Sequence, residues 1–293
     1  MNTVMGLINL HEDGSFIREL ADRRAVESIP FAGRYRLIDF ALSSMVNSGV
    51  SKVGVMLPDE PRSVLDHLRS GKDWDLARRH DGLFYLPAVH EDPQRRTGDL
   101  KNFYHNLDFI EHASSRYILL TNGSFVYNVD FDEVLRFHQN TGADITLVSH
   151  TTEDENMGSN VVIETAENGL VLDIAEKPVA YEGMKVSMGV YLMEKAVFVE
   201  CVRYAYEHGG QRFLLDGIIR RALAKDYNFL DKDVESIMFA TPLTITPDKM
   251  AAAALSVMEK HQPRPVTVLP VVDETGIPVG IVHLTDLLRQ GVV

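Results

Sequence analysis

The sequence has little cysteine and no long apolar run. Its 293 residues include one cysteine, Cys201, which excludes an internal disulfide and a zinc site built from several cysteines. Cys201 lies in an apolar, helix-like segment, so we expect a buried and inert thiol. No stretch approaches the roughly 20 apolar residues of a membrane-spanning helix, and the first residues lack a signal-peptide pattern. We therefore expect a cytoplasmic protein.

Positive charge is also scarce, with 29 lysines and arginines against 42 aspartates and glutamates and a formal net charge of −13. Such a chain repels polyphosphate backbones, so nucleic-acid binding is not expected and small anionic ligands would depend on local basic groups. His105, His112 and His138 have no ligand partners at metal-binding spacing, so no metal site is predicted. The chain also lacks the Gly-x-Ser-x-Gly stretch of a serine hydrolase.

What the sequence does contain is an alternation of strand-like and helix-like segments. Strand patterns cover residues 4–8, 52–57, 117–120 and 144–148, and helical patterns cover residues 35–48, 62–70 and 130–140. Further strands are expected at 161–164, 170–173 and 186–192, before helices near 195–208 and 212–225. This order predicts an α/β, Rossmann-like domain at residues 1–235, with a mostly parallel sheet between flanking helices.

The pattern changes after Glu235. An extended segment at 241–247 leads into an alanine-rich helix that Asp248 caps. Two short apolar strands and a last helix from Thr285 follow. This arrangement predicts a separate small α+β unit at residues 236–293.

A long motif at residues 30–40, Pro-Phe-Ala-Gly-Arg-Tyr-Arg-Leu-Ile-Asp-Phe, is followed by Asn47-Ser-Gly49. Both resemble the ADP-glucose pyrophosphorylase (glucose-1-phosphate adenylyltransferase) family. Further agreement follows in order at residues 70–76, 104–110, 176–178 and 187–191. The resemblance covers roughly residues 1–230 and implies a nucleotide-diphospho-sugar transferase fold. It also implies a reaction in which glucose 1-phosphate attacks the α-phosphorus of ATP and releases pyrophosphate.

Four catalytic elements of that family are missing. Catalytic members carry a glycine-rich phosphate loop after the first strand, where this chain reads Gly6-Leu-Ile-Asn-Leu-His-Glu-Asp-Gly14. The family's lysine corresponds to Val26, its magnesium aspartate to Ser124, and its second metal aspartate, in an Asp-Phe-Gly motif, to Phe213. A serine hydroxyl lacks the charge that holds magnesium against phosphates. We therefore predict no catalytic residue, metal site or cofactor here, with magnesium bound only in an active partner.

The losses make the chain similar to the D-type subunit of bacterial glycogen operons, a catalytically weak partner of an active subunit. The resemblance implies a regulatory subunit of glucose-1-phosphate adenylyltransferase in glycogen biosynthesis, within a homo- or hetero-oligomer. An alternative is a module that binds nucleotides or phosphosugars without any partner enzyme. Residual activity of the chain alone ranks lowest.

The resemblance to the family extends to part of its sugar-phosphate-binding site, at Glu176, Lys177 and Ser187. Glu176 can accept hydrogen bonds from sugar hydroxyls, Lys177 can pair with a phosphate, and Ser187 can donate to a hydroxyl or phosphate oxygen. The alternative is that residues 176–178 form only a solvated turn between strands.

Two arginines, Arg34 and Arg36, are candidates for an effector site. In the family, the basic residue that corresponds to Arg34 lies at a site for phosphorylated sugars. The alternative is an ion pair with Asp39 or a neighbour. Trp74 could stack on a base or sugar, but packing beneath a loop is the favoured interpretation.

The C-terminal segments 241–248, 255–259, 269–273 and 280–288 resemble one CBS motif, nearest to that of arabinose-5-phosphate isomerase-type proteins. Thr246, Thr285 and Asp286 are the nucleotide-binding candidates, because a carboxylate at a helix start can hold ribose hydroxyls. The alternative is simple N-capping by Thr285 or Asp286.

CBS motifs act in pairs, so a lone motif is expected to expose an apolar face that a second copy covers. That face is expected to consist of residues 266, 268, 269, 271, 281 and 282. No hexapeptide repeats of a β-helix follow Glu235. The sequence therefore resembles a D-type subunit fused to half of a CBS module.

Overall fold

The computed structural model describes residues 3–11, 20, 24–89, 98–153, 156–219, 243–260, 268–273 and 275–289. The chain divides into two compact units, residues 1–225 and 226–293. The boundary predicted at 235 lies outside the described residues and stays a prediction.

The first unit is built around an eight-stranded sheet. The described strands of this sheet are β1 (Val4–Asn9), β4 (Lys52–Met56), β5 (Gly82–Leu86), β6 (Tyr117–Thr121), β7 (Ile145–Thr151), β8 (Asn156–Thr165), β9 (Val171–Ala180) and β10 (Lys185–Glu194). A separate small hairpin consists of β2 (Pro30–Phe31) and β3 (Tyr35–Arg36). The main sheet has the order β5-β4-β1-β6-β10-β8-β9, and β7 also pairs with β10. Strands β5, β4, β1 and β6 are parallel, and β10 begins the antiparallel half. The predicted α/β fold is confirmed, with a mixed sheet.

Helices flank this sheet. They are α1 (Leu37–Asn47), α2 (Arg62–Leu68), α3 (Leu100–His105), α4 (Leu107–Glu111), α5 (Phe131–Thr141) and α6 (Lys195–Glu207), and a π-helical turn covers Phe213–Ile219. Short 3₁₀ turns cover Val26–Ser28 and Lys72–Trp74. Of the helix predicted at 212–225, only residues up to 219 are described.

The core lies on both faces of the sheet because successive side chains of a strand point to opposite sides. On β1, Val4 and Ile8 join one buried cluster, and Met5 and Leu7 join the other. Strands buried on both faces read as continuous apolar runs, which is why β1 and β6 are recognisable in the sequence. Cys201 is buried in the second cluster. Trp74 packs against the first cluster, which confirms its predicted packing role.

The second unit is a helix-backed hairpin. It contains α7 (Ala251–Lys260), β11 (Val268–Val272), β12 (Pro278–His283) and α8 (Leu284–Arg289), and the two strands are antiparallel. The side chain of Asp273 closes the turn by accepting the backbone N–H groups of Thr275 and Ile277 at 2.8 and 3.0 Å. A small core includes Met258, Leu269 and Leu287.

The prediction of which residues form an exposed apolar face on this hairpin is partly wrong. Leu269 is buried, and Val271 and Val282 pack against the core of the same unit. Because strand side chains alternate, the neighbouring positions Val279 and Ile281 lie on the other face, where Ile281 is 60% exposed. Residue 266 lies outside the described residues. Among the helices described, none is long and apolar enough to cross a membrane.

Candidate functional site

A cleft opens beyond the carboxyl ends of β1 and β6, the edge of an α/β sheet where ligands commonly bind. Its volume is about 370 Å³, at the lower end of the range of ~300–1,000 Å³ for small-molecule sites. Its described lining is Asn9, His11, Gly98, Asp99, Leu120, Thr121, Asn122, Ser124, Phe125, Val161, Val186, Ser187, Gly189, Tyr191, Arg212, Phe213, Leu214 and Ile218.

Asp99 is held at one side of the cleft by donors from two other segments. Asn9 Nδ2 donates to Asp99 Oδ2 at 2.8 Å, and the backbone N–H of Phe213 donates to Asp99 Oδ1 at 2.9 Å. Desolvation raises the pKa of Asp99 above its ordinary value, while the two hydrogen bonds and nearby His11 act in the opposite direction. Both oxygens of this carboxylate are thus engaged within the chain.

A second polar contact follows directly after β1. Asn102 Nδ2 lies 2.7 Å from His11 Nε2, and Asn102 Oδ1 accepts the backbone N–H of Val89 at 2.9 Å. Asn102 is buried. Asn9 and His11 therefore place polar side chains in the segment that is predicted to replace a glycine-rich phosphate loop. Residues 12–14 of the predicted loop replacement lie outside the described residues.

Ser124 lies in the cleft, just after β6. It follows the turn Asn122-Gly123, and its backbone N–H is 3.4 Å from Asn122 Oδ1. Gly189 of β10 passes close to this turn: its φ is +65°, and a Cβ there would lie 2.5 Å from Asn122 Nδ2. Only glycine permits this approach.

Phe213, the residue predicted to stand at a lost metal-ligand position, has its ring in the core. Its side chain is 2% exposed, and its ring packs 5.2 Å from Phe103 and 4.9 Å from Phe198. Phe213 and the neighbouring Arg212 both belong to the cleft lining. The correspondence of Phe213 to the family's second metal aspartate stays a prediction.

Of the predicted sugar-phosphate residues, the structure places Ser187 in the cleft. It is buried, its Oγ lies 3.1 Å from Tyr191 Oη, and it accepts the backbone N–H of Gly189 at 3.1 Å. Glu176 and Lys177 lie within β9, where their register partners on β8 are Val161 and Asn160. The alternative of a turn at 176–178 is therefore wrong. The side chains of Glu176 and Lys177 are outside the description, and their ligand roles stay predictions.

The effector candidates Arg34 and Arg36 lie away from the cleft lining. Arg34 is exposed in the turn between β2 and β3. Arg36 Nη1 donates to the backbone oxygen and the Oγ of Ser63, both at 2.8 Å. Asp39, the expected ionic partner, accepts the backbone N–H of Arg36 at 2.9 Å and pairs with His67 Nε2 at 2.6 Å. Arg36 thus ties α1 to α2, and effector binding stays a prediction.

The described donor set does not fit magnesium. Within the described ranges, no group of three or more His, Cys, Asp or Glu side chains could hold a metal ion. Asp99 is the one carboxylate in the described cleft lining, and both its oxygens are engaged. Magnesium needs anionic oxygen ligands, whereas Ser124 and Arg212 supply a hydroxyl and a cation.

In the C-terminal unit, the candidate nucleotide-binding residues Thr246, Thr285 and Asp286 are described only in part. The hydroxyl of Thr246 donates to Asp248 Oδ1, which lowers the pKa of Asp248. Asp286 is exposed in the first turn of α8. The side chain of Thr285 lies outside the described set. Their nucleotide role therefore stays a prediction.

Sequence reasoning missed four residues of the cleft lining, Asn9, His11, Asp99 and Arg212, and also Asn102, which contacts His11. Asn9 and His11 could have been found, because two polar residues directly follow a buried parallel strand. Asp99 and Asn102 come from a segment far from β1 in the sequence. Their contacts with β1 leave no local pattern.

Comparison with known proteins identifies both units. Residues 13–236 match the nucleotidyl transferase family, and residues 234–292 match the CBS domain. The second match confirms the predicted CBS motif. The finer likeness to arabinose-5-phosphate isomerases stays a prediction.

Two names recur among the similar proteins described here. "Glycogen biosynthesis protein GlgD" of Geobacillus stearothermophilus is 38% identical over 175 residues, 59% of this chain and 49% of that protein. The protein of the same name from Bacillus subtilis is 32% identical over 218 residues, 74% of this chain and 61% of that protein. "Glucose-1-phosphate adenylyltransferase" of Halalkalibacterium halodurans is 30% identical over 226 residues, 76% of this chain and 59% of that protein. The chain spans about half to three fifths of these relatives.

Proposed function

Because the chain belongs to the nucleotidyl transferase family, we propose that it is a non-catalytic, regulatory-type subunit of glucose-1-phosphate adenylyltransferase. It would act in glycogen biosynthesis, in the cytoplasm, through association with an active subunit. The names of its relatives, a glycogen biosynthesis protein and a glucose-1-phosphate adenylyltransferase, support this pathway.

The observation that carries the proposal is the charge of the cleft. Ser124 and Arg212 line it, and the oxygens of Asp99 are bonded to Asn9 and to the Phe213 backbone. Transfer of a nucleotidyl group needs magnesium between carboxylates and phosphates to neutralise the charge that develops. This cleft lacks those carboxylates among its described residues, while the surrounding sheet and core are intact.

The active partner would perform the displacement at the α-phosphorus of ATP with its own phosphate loop and magnesium carboxylates. This chain would contribute a folded surface and a ligand-responsive cleft. Glu176, Lys177 and Ser187 are its proposed phosphosugar contacts, and Arg34 and Arg36 its proposed effector contacts.

Co-expression tests the association. The tagged chain and an untagged active glucose-1-phosphate adenylyltransferase subunit are produced together, and the purified sample is analysed by light scattering. We expect a complex of defined stoichiometry whose response to phosphorylated sugars differs from that of the active subunit alone. The same tag on an unrelated protein is the control. Separate elution of the two chains at micromolar concentration would contradict the proposal.

A second candidate function is suggested by the CBS match at residues 234–292. The chain would then bind adenine nucleotides or phosphosugars without a partner enzyme. Calorimetry of the isolated chain with AMP and ATP distinguishes the two functions. Tight binding together with no association with the active subunit favours the sensing module.

A further inference from the structure

A second and larger groove runs along the exposed face of α6. Its volume is about 660 Å³, and Lys195, Val199, Tyr204 and Glu207 are among the residues that line it. The backbone N–H of Lys195 donates to the carbonyl of Arg116 at 2.7 Å, directly before β6 begins. The groove therefore lies at the amino end of β6, whereas the cleft lies at the carboxyl end of that strand.

The charges at the two ends of α6 have the wrong sign for their own helix. Anions stabilise the first turn of a helix and cations the last turn, because the N-terminus carries partial positive charge and the C-terminus partial negative charge. Helix α6 begins at Lys195 and ends at the exposed Glu207, with no acidic residue in its first turn and no basic residue in its last. Both end charges would be matched by a neighbouring helix that runs in the opposite direction.

Two cations on this face are held in place by the chain itself. Lys195 Nζ donates to the carbonyls of Glu111 and Ala113 at 2.9 and 2.5 Å, which uses two of its three N–H groups. Arg203 uses one nitrogen, Nη2, for both carboxylate oxygens of Glu111, at 2.8 and 2.9 Å. Because both side chains are already ordered, pairing them with a partner costs little side-chain entropy.

Apolar surface lies between these charges. Val199 is half-buried, and Tyr204 is 45% exposed. Tyrosine is enriched at protein interfaces, since it combines an apolar ring with a polar tip. If a second α6 lies antiparallel across a two-fold axis at the middle of the helix, Val199 of one copy falls opposite Tyr204 of the other. Lys195 then falls opposite Glu207.

We propose that α6 is a homotypic interface, through which two copies of this chain pair with their α6 helices antiparallel. Lys195 of each copy meets Glu207 and the C-terminal end of the other helix, and the two-fold axis repeats every contact, as an isologous interface requires. The occupant is a second copy because the order of charges along α6 is complementary to its own reverse. The inference goes beyond the proposed function and does not rest on it.

The pairing is weak and sensitive to salt. Helix α6 has 13 residues and is therefore about 20 Å long, too short to bury by itself the ~1,200 Å² of a stable complex. Its ion pairs are exposed to solvent, so added salt screens them.

Sedimentation velocity tests the pairing on the full chain with Ile281→Glu, which puts a charge on the exposed face of β12 and removes pairing through the C-terminal unit. We expect dimerisation between ~10 and ~300 μM, weakened about fivefold when NaCl rises from ~50 to ~500 mM. Glu207→Lys should weaken it about tenfold or more, because it sets two lysines against each other at both ends of the interface. Glu182→Lys makes the same charge change in an exposed turn and is the matched control.

Disulfide trapping tests the direction of the helices. In the antiparallel pair Ala196 of one copy lies near His208 of the other, whereas the two Ala196 residues lie about 18 Å apart along the helices. On oxidation with copper–phenanthroline, a mixture of the Ala196→Cys and His208→Cys chains should form a mixed disulfide faster than either chain forms one with itself. Cys201 is buried, and the protein with Cys201 alone is the control.

Three results would overturn the inference: a chain that stays monomeric over this range, equal effects of Glu207→Lys and Glu182→Lys, or disulfides mainly between identical cysteines. The concentration and salt series keep α6 unchanged, so they remain decisive even if an α6 variant folds poorly. Association with the active subunit is measured separately. If Glu207→Lys weakens that association in a chain that does not self-associate, the face belongs to the active subunit and the inference fails. If association persists while pairing through α6 is not observed, the inference fails and the proposed function stands.

Discussion

Single side chains set the electrostatics of the cleft, and Asp99 is central because desolvation raises its pKa. Asp99→Asn should change the free energy of unfolding at pH 7 by no more than about 1 kcal/mol, because its Oδ1 can still accept the Phe213 N–H, its Nδ2 can donate to Asn9 Oδ1 once the Asn9 amide turns, and the desolvated charge is removed. Asp99→Leu should cost roughly 2–4 kcal/mol, because it leaves the donors of Asn9 and Phe213 unpaired. Urea unfolding of the two variants provides the comparison. Equal losses would contradict the described hydrogen bonds.

His138 gives a second residue-scale prediction, on pH dependence. Its Nδ1 lies 2.9 Å from Thr146 Oγ1, and burial lowers its pKa below the ordinary value. The unfolded chain therefore takes up a proton first, so stability should fall as the pH drops below ~6.5 toward the folded pKa. His138→Gln should flatten this decline between pH 7 and pH 5 in urea unfolding. His112→Gln, at an exposed site, is the control. Identical slopes for the unchanged protein and the two variants would contradict the lowered pKa of His138.

At the scale of elements, two neighbouring residues at the start of the π-helical turn lie in different environments. The ring of Phe213 packs in the core, and Arg212 lines the cleft. Phe213→Ala should destabilise the first unit by about 3–5 kcal/mol, because it empties the aromatic cluster with Phe103 and Phe198. Arg212→Ala, one residue earlier on the cleft, should cost clearly less. Chemical denaturation followed by far-ultraviolet circular dichroism measures both. A larger loss for Arg212→Ala would show that the cleft and core sides have been exchanged.

The elements were predictable where their pattern is local. The runs of β1 and β6 and the helix at 131–141 follow from hydrophobic periodicity. The core position of Phe213 was not predictable, because it depends on packing against Phe103 and Phe198, which leaves no local pattern. Asp99 could not be found, since its partners Asn9 and Phe213 lie 90 and 114 positions away. The face of β12 was misjudged because alternation was not applied to Val282 and Ile281.

At the scale of the whole molecule, the C-terminal unit presents an uncovered apolar row, Ile277, Val279 and Ile281, each more than half exposed. Burying such surface is worth roughly 25 cal/mol per Å², so we expect two copies to pair through it. Ile281→Glu, like removal of the residues after Glu235, should lower the subunit number measured by light scattering. Ala252→Glu, on the exposed side of α7, should not. An unchanged subunit number in Ile281→Glu and in the protein truncated after Glu235 would exclude the pairing.

We propose that this nucleotidyl transferase fold has lost the residues that its own catalysis would need. The most direct measurement is ADP-glucose formation by the purified chain from ATP, magnesium and glucose 1-phosphate. We predict no product above a blank, and none for Ser124→Asp, because one restored carboxylate still lacks a second metal carboxylate and the phosphate loop. Adding the active subunit should produce ADP-glucose at a rate that differs from that subunit alone. Magnesium-dependent release of pyrophosphate by the unchanged chain alone would contradict the claim.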